Sequence, residues 1–349
     1  MKVEKKVIGN LTKCYSIAPL HYNNQEHFLV AAEKIDKCLL FDLDGNLEDT
    51  VWTEPGGVMT MVQIPNTNGE FLATHQFYSP NDSAMAKIVA VRPIEKGKWE
   101  VKTLVDLPHV HRFDILQRNG VSYLIACTLK SGHQYKDDWS APGKVYGAVL
   151  PEDLRGFHEG SQLKLEVIKD DMSKNHGYYK VIENGLDTSI ISSEQGVYQF
   201  IPPEKQGEQW EIKQLLDTPA SDAVLLDMDE DGEMELAVFS PFHGDTISIY
   251  KQQNGKFEKI YQYEKPAPFL HAIFGGMICQ KPTLVVGHRQ GERSLLAFTW
   301  NQDKNDYEVQ VLDQDCGAAN VYKYSKDGKD ILIAANHGIN EIAMYTLEV

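Results

Sequence analysis

The sequence predicts an all-β chain, a seven-bladed β-propeller of four-stranded blades with its ring closed by the N-terminal strand, forming a single domain over residues 1–349. Three observations predict it. Short apolar stretches of strand type recur seven times: HFLVAAE, EFLATHQF, SYLIACTL, DTSIISSE, MELAVFSP, PTLVVGH and DILIAAN. Each follows a turn signal, most often Asn-Gly or Asp-Gly, which supply the positive φ of a tight hairpin. The repeat is 349/7, or roughly 50 residues, the length of one blade.

The blades fall at about 11–56, 57–107, 108–173, 174–218, 219–266, 267–315 and 316–349. After the apolar stretch comes a second β-rich one, such as KCLLFDL, KIVAVRP or TISIYKQ. A third, such as KGKWEVKTL or NGKFEKIYQY, closes the unit with a hydrophilic turn and an aromatic. The last copy ends at Met344–Leu347 without its fourth strand, and KKVIGNL is left over at the amino terminus. Joining the two closes the ring and removes an exposed sheet edge. Blade three is longer by about 15 residues, in SGHQYKDDWSAPGK and PEDLRGFHEGSQ, and inserted loops of this kind more often carry function than structure. Helical periodicity is missing apart from a weak turn at PEDLRGF.

Lys plus Arg is 34 against 50 Asp plus Glu, a net charge of −16, which argues against a nucleic-acid backbone as partner. No apolar run approaches the roughly 18 residues of a membrane span. The amino terminus is basic without an apolar core, so no signal peptide is expected. The five cysteines are scattered, lack any CxxC and sit beside aliphatic residues, which suits buried free thiols and a cytoplasmic location. The oligomeric state is left open.

Lettering the strands of a blade A to D outward from the axis puts the D–A connections and B–C loops on one face. His109, His111, His176 and His271 fall at the start of A strands, and His75, His133, His243, His288 and His337 at B-strand ends or in B–C loops. Nine of the twelve histidines thus share one face, the innermost of them lining the mouth of the central channel. Converging neutral imidazoles suit a borderline divalent metal; a solvated rim of loops is the plainer reading. Arg112, Lys130, Tyr135, Tyr178, Asp245, Arg289 and Arg293 lie on the same face, a mixture suited to a polar, hydroxyl-rich small molecule.

Asp227, Asp229 and Asp231, with Gly232 and Glu235, form the alternating-acid pattern of a structural calcium or magnesium loop. It falls in an A–B turn on the opposite face. A plain acidic turn is the alternative.

The DxDxDG hairpin within a blade-length repeat resembles the FG-GAP/VCBS type of propeller. PHVHRFDI and SPFHGDTISIYK, and more weakly KNHGYYKVI and FLHAIF, resemble segments of the propeller portion of the fungal aldos-2-ulose dehydratases. These sugar lyases remove water from ketosugars such as 1,5-anhydrofructose. The resemblance implies a zinc-like metal in the channel at the matching His111, His176, His243 and His271, with Arg112 beside the first. It implies Lewis-acid enolisation followed by β-elimination of water. His133 or His75 would then be the base and Tyr135 the acid, with Arg112 and Arg289 orienting oxygens. The fungal enzymes carry a further carboxy-terminal domain with no counterpart in this chain. A uronate-glycoside lyase, a sugar isomerase or epimerase, and a non-catalytic carbohydrate- or protein-binding propeller are the competing readings.

Overall fold

The computed structural model describes residues 1–183 and 185–349. Seven antiparallel sheets follow one another around a ring. Blade one consists of Cys14–Tyr22, Gln25–Ala32, Cys38–Asp42 and Leu47–Trp52, paired in that order. Five other blades repeat the same meander; that of blade three is interrupted by a short extra strand, Lys130–Gly132, in its B–C loop. The described residues include no helix, and so none long and apolar enough to cross a membrane.

Burial within a blade explains the sequence rhythm. The B strands are covered on both faces by neighbouring blades, so Phe28–Ala32, Tyr123–Thr128 and Pro282–His288 are buried without a break. That produces continuous apolar runs instead of alternation. Outer strands such as Glu211–Leu216 and Lys256–Gln262 are mostly exposed and carry charged residues among apolar ones. The apolar clusters sit between blades: Phe28, Phe41 and Ile333 join blades one and seven, and Phe239, Leu284 and Phe298 join five and six.

The ring closes at blade seven. Lys2–Asn10 pairs antiparallel with Glu341–Glu348, from Lys2 opposite Glu348 to Asn10 opposite Glu341. The basic start of the chain is thereby explained: Lys5 lies 2.7 Å from Glu341 and 2.8 Å from Asp313. All five cysteines are free thiols, and all but Cys279 are buried.

Candidate functional site

Three A strands carry a β-bulge near their start. The pairing skips Tyr15 between Cys14 and Ser16, His111 between Val110 and Arg112, and His271 between Leu270 and Ala272. A bulge leaves its extra residue out of the ladder and re-aims the side chain. Here it brings Tyr15, His111 and His271 onto one cavity of about 460 Å³ at the B–C mouth of the channel. His176, just ahead of the A strand of blade four, and His243, in the B–C turn of blade five, complete the cluster.

His176, His243 and His271 offer ring nitrogens all within 4.8 Å of one another. Their remaining hydrogen bonds fix the tautomers. His176 Nδ1–H donates to Asp222 Oδ2 at 2.8 Å, and its Nε2 is buried without a partner. His271 Nδ1–H donates to the Ala319 carbonyl at 2.7 Å, leaving Nε2 bare toward the Tyr15 hydroxyl at 3.1 Å. The His243 ring is stacked between Phe242 and Phe269, with centroids 3.9 and 4.3 Å away. Burial first, then the neighbouring His176 and Arg289, lowers the His243 pKa to about 2. Burial likewise holds His271 and His111 well below the usual imidazole range. Lone pairs on neutral imidazoles, one backed by a carboxylate, form a donor set that fits a zinc-like ion with an open position.

Of the four histidines expected to bind metal, His111 stands outside this group. Its Nδ1–H donates to the His176 carbonyl at 3.2 Å, and its Nε2 faces the Tyr15 hydroxyl at 3.3 Å. Tyr15 has one proton for two bare nitrogens. Donating it to His111 frees His271 Nε2 for a metal.

The residues expected to act as base and acid do not line the cavity. His75 is buried at the end of its B strand, where the ring packs edge-on against Trp52 at 4.8 Å in the interface between blades one and two. His133 lies beside His109, with ring centroids 5.4 Å apart, and Tyr135 is 67% exposed. Topology sets how high a residue sits along the channel axis but leaves its distance from the axis open. From the same blade-three loop it is Asp137 and Trp139 that reach the mouth. Asn81 Nδ2 donates to Asp137 Oδ1 at 2.7 Å, and the buried Lys130 ammonium lies 4.2 Å above the Trp139 ring.

Arg112 is one layer deeper. Its Nη1 donates to the Met59 carbonyl at 2.6 Å, and it lines a second chamber of about 210 Å³ with Asp114, Tyr178 and Asp222. Arg289 does line the metal-side cavity, joined by Glu33, which the sequence reading missed. Arg289 Nη2 lies 3.5 Å from Glu33 Oε2 and 2.9 Å from His337 Nδ1. Tyr15 was missed too, although it holds the place in blade one that His111 and His271 hold in theirs. Glu33 follows strand B of blade one as His337 follows that of blade seven, a matching register that could have paired them.

On the opposite face, Asp227, Asp229 and Glu235 bring carboxylate oxygens within 4.8 Å of one another, a geometry that could hold a cation. The chain supplies a charge of its own there. Lys251 Nζ lies 2.7 Å from Asp229, 2.9 Å from Asp231 and 2.7 Å from Glu235. Calcium or magnesium at this loop would have to displace that ammonium.

No protein-family model and no curated protein sequence matches this chain. Solved propellers do. The Dos1 propeller is similar with a TM-score of 0.55 and 7% identity over 92% of this chain and 76% of that one. A putative 6-phosphogluconolactonase from Bacteroides uniformis is similar with a TM-score of 0.53 and 12% identity, over 93% and 89%. At such identities the likeness shows the fold alone. The chain is a seven-bladed β-propeller.

Proposed function

We propose that this protein is a metal-dependent carbon–oxygen lyase that removes water from an uncharged, polyhydroxylated carbonyl compound of the ketosugar kind. The observation that carries the reading is the convergence of His176, His243 and His271, with Asp222 and the Ala319 carbonyl fixing two of the rings. A divalent metal held there supplies a Lewis acid for the carbonyl oxygen of a bound substrate.

The chain's own groups support that chemistry. Trp139, Phe242 and Phe269 wall the mouth and keep water from the reacting carbons, while Asn81, Asp137 and Arg289 present polar atoms to hydroxyl groups. The cavity's charges favour an uncharged substrate. Among its lining residues Arg289 is the one Lys or Arg, and it is already engaged by Glu33 and His337. A uronate, or a phosphorylated sugar lactone such as the name of the Bacteroides neighbour contains, would ask for an unpaired cation. The local resemblance around His111, His176, His243 and His271 to aldos-2-ulose dehydratases points the same way.

The test is metal analysis of untagged protein beside a His176→Ala/His243→Ala variant, followed by a screen of ketosugars for water loss. About one equivalent of zinc or a similar metal, absent from the variant and required for enone formation, is the expected result. Full metal content in the variant, or wild-type protein free of metal and inert on ketosugars, would overturn the reading.

A further inference from the structure

A lyase that works through enolisation needs a group to take the proton next to the carbonyl, and the histidines first expected to do so lie away from the cavity. We infer that Glu33 is that base, held ready by His337 and Arg289; the inference rests on the lyase reading above.

Glu33 lines the same cavity as the three histidines. Its backbone is anchored, since the Glu33 N–H donates to the Lys13 carbonyl at 2.8 Å. Its two oxygens differ. Oε2 accepts from His337 Nε2–H at 2.5 Å and faces Arg289 Nη2 at 3.5 Å, whereas Oε1 has no hydrogen-bond partner among the described residues. One oxygen is therefore a fixed handle and the other is free for substrate. The His337 tautomer follows from the carboxylate, which can only accept, so Nε2 carries the proton. Arg289 Nη2 lies almost equally close to both ring nitrogens, 2.9 Å from Nδ1 and 3.0 Å from Nε2. These contacts come from blades one, six and seven, so the carboxylate is braced by three rigid sheets. No other carboxylate lining the cavity is held this way: Asp137 sits on the blade-three loop and is tied to Asn81.

The step balances without any outside reagent. Oε1 takes the proton from the carbon next to the carbonyl, and the C–H electron pair forms the C=C bond of the enolate as charge moves to the carbonyl oxygen. The enolate then re-forms its carbonyl while the β-carbon–oxygen bond breaks. The glutamic acid returns its proton to the leaving hydroxyl, which departs as water. His337 and Arg289 are positioning residues in this account.

The test follows deuterium uptake at the carbon next to the carbonyl of 1,5-anhydrofructose in D₂O by NMR, using metal-loaded protein. Glu33→Gln should keep its metal and lose exchange by about 100-fold or more, the scale of general-base catalysis. Glu33→Ala should recover part of the rate when formate is added, which a structural role for Glu33 would not produce. Wild-type exchange that persists in Glu33→Gln overturns the assignment of the base alone, as does loss of metal in that variant without formate rescue in Glu33→Ala. Wild-type protein that holds metal yet catalyses no exchange overturns the lyase reading itself, and the base with it.

Discussion

His176 and Asp222 meet across the boundary between blades four and five, with Nδ1 2.8 Å from Oδ2 and both residues almost wholly buried. The pair ties a proposed metal ligand to a rigid strand. A carboxylate behind an imidazole fixes its tautomer and raises its basicity, and loss of such a partner typically weakens metal binding 10- to 100-fold. Asp222→Asn should therefore raise the zinc dissociation constant by about that factor and leave the fold intact. Competition titration against a chromophoric chelator measures the first, and circular dichroism checks the second. Unchanged affinity would remove the three-histidine site from consideration.

The Lys251 ammonium stands among Asp229, Asp231 and Glu235, and the Glu235 carboxyl is fully buried. Removing one partner of this partly buried ionic cluster leaves uncompensated charge beside Glu235 and costs roughly 1–3 kcal/mol, between the exposed and fully buried limits. Lys251→Met should lower the melting temperature in chelator, and added calcium should restore much of the loss by taking the vacated position. Wild-type protein should respond to calcium far less. Melting curves of both proteins with and without calcium decide it, and equal calcium responses would show that Lys251 does not hold the site.

These two sites show how far the sequence could be read. The blade count and ring closure were legible because the doubly covered B strands force apolar runs at a fixed spacing, and Asn-Gly and Asp-Gly mark the hairpins. The face carrying the histidines followed from strand order alone. Which of them reach the channel did not follow, since that depends on bulges at Tyr15, His111 and His271 that leave no fixed sequence signal. His75 and Glu33 make the contrast plain. Both close a B strand on the same face, yet one ring is buried against Trp52 while the other side chain opens on the cavity. The Lys251 contact was illegible for a similar reason, because it joins residues on separate strands through the sheet register.

Acid should unfold this protein early. Burial, with a smaller push from Lys87, lowers the His75 pKa from 6.5 to about 4, and burial lowers His109 to about 4 as well. The unfolded imidazoles take up protons below pH 6.5, while the folded ones resist until about pH 4, so the unfolded state binds more protons between those limits. Stability is then present above pH 6.5 and lost as pH falls through that window. For His75 the loss amounts to about 3 kcal/mol by pH 4. His75→Phe, which keeps an aromatic ring against Trp52, should flatten the fall in melting temperature between pH 7 and 5. An identical slope in the variant would mean that His75 binds its proton equally well in the folded and unfolded states.

The N-terminal strand, the outermost of blade seven, is the last and the severest test of the ring. Deleting residues 1–10 removes the partner of Glu341–Glu348 and with it the ladder from Lys2 to Asn10. It also takes Lys5 from Asp313 and Glu341, leaving Asp313 with Tyr345 and Gln314 as donors, and uncovers the buried Leu347 on an open edge. Net hydrogen-bond values near 1 kcal/mol each imply a fall in melting temperature on the order of 10 °C or more. An unpaired edge of this length also templates strand addition, so the truncated protein should aggregate with increasing concentration. Light scattering beside a thermal melt reads both effects. Supplying residues 1–10 as a separate peptide should reverse them, because the missing strand lacks only its covalent link. A truncated protein that melts and scatters like the full chain would show that the ring is held by the contacts between its blades without that closure.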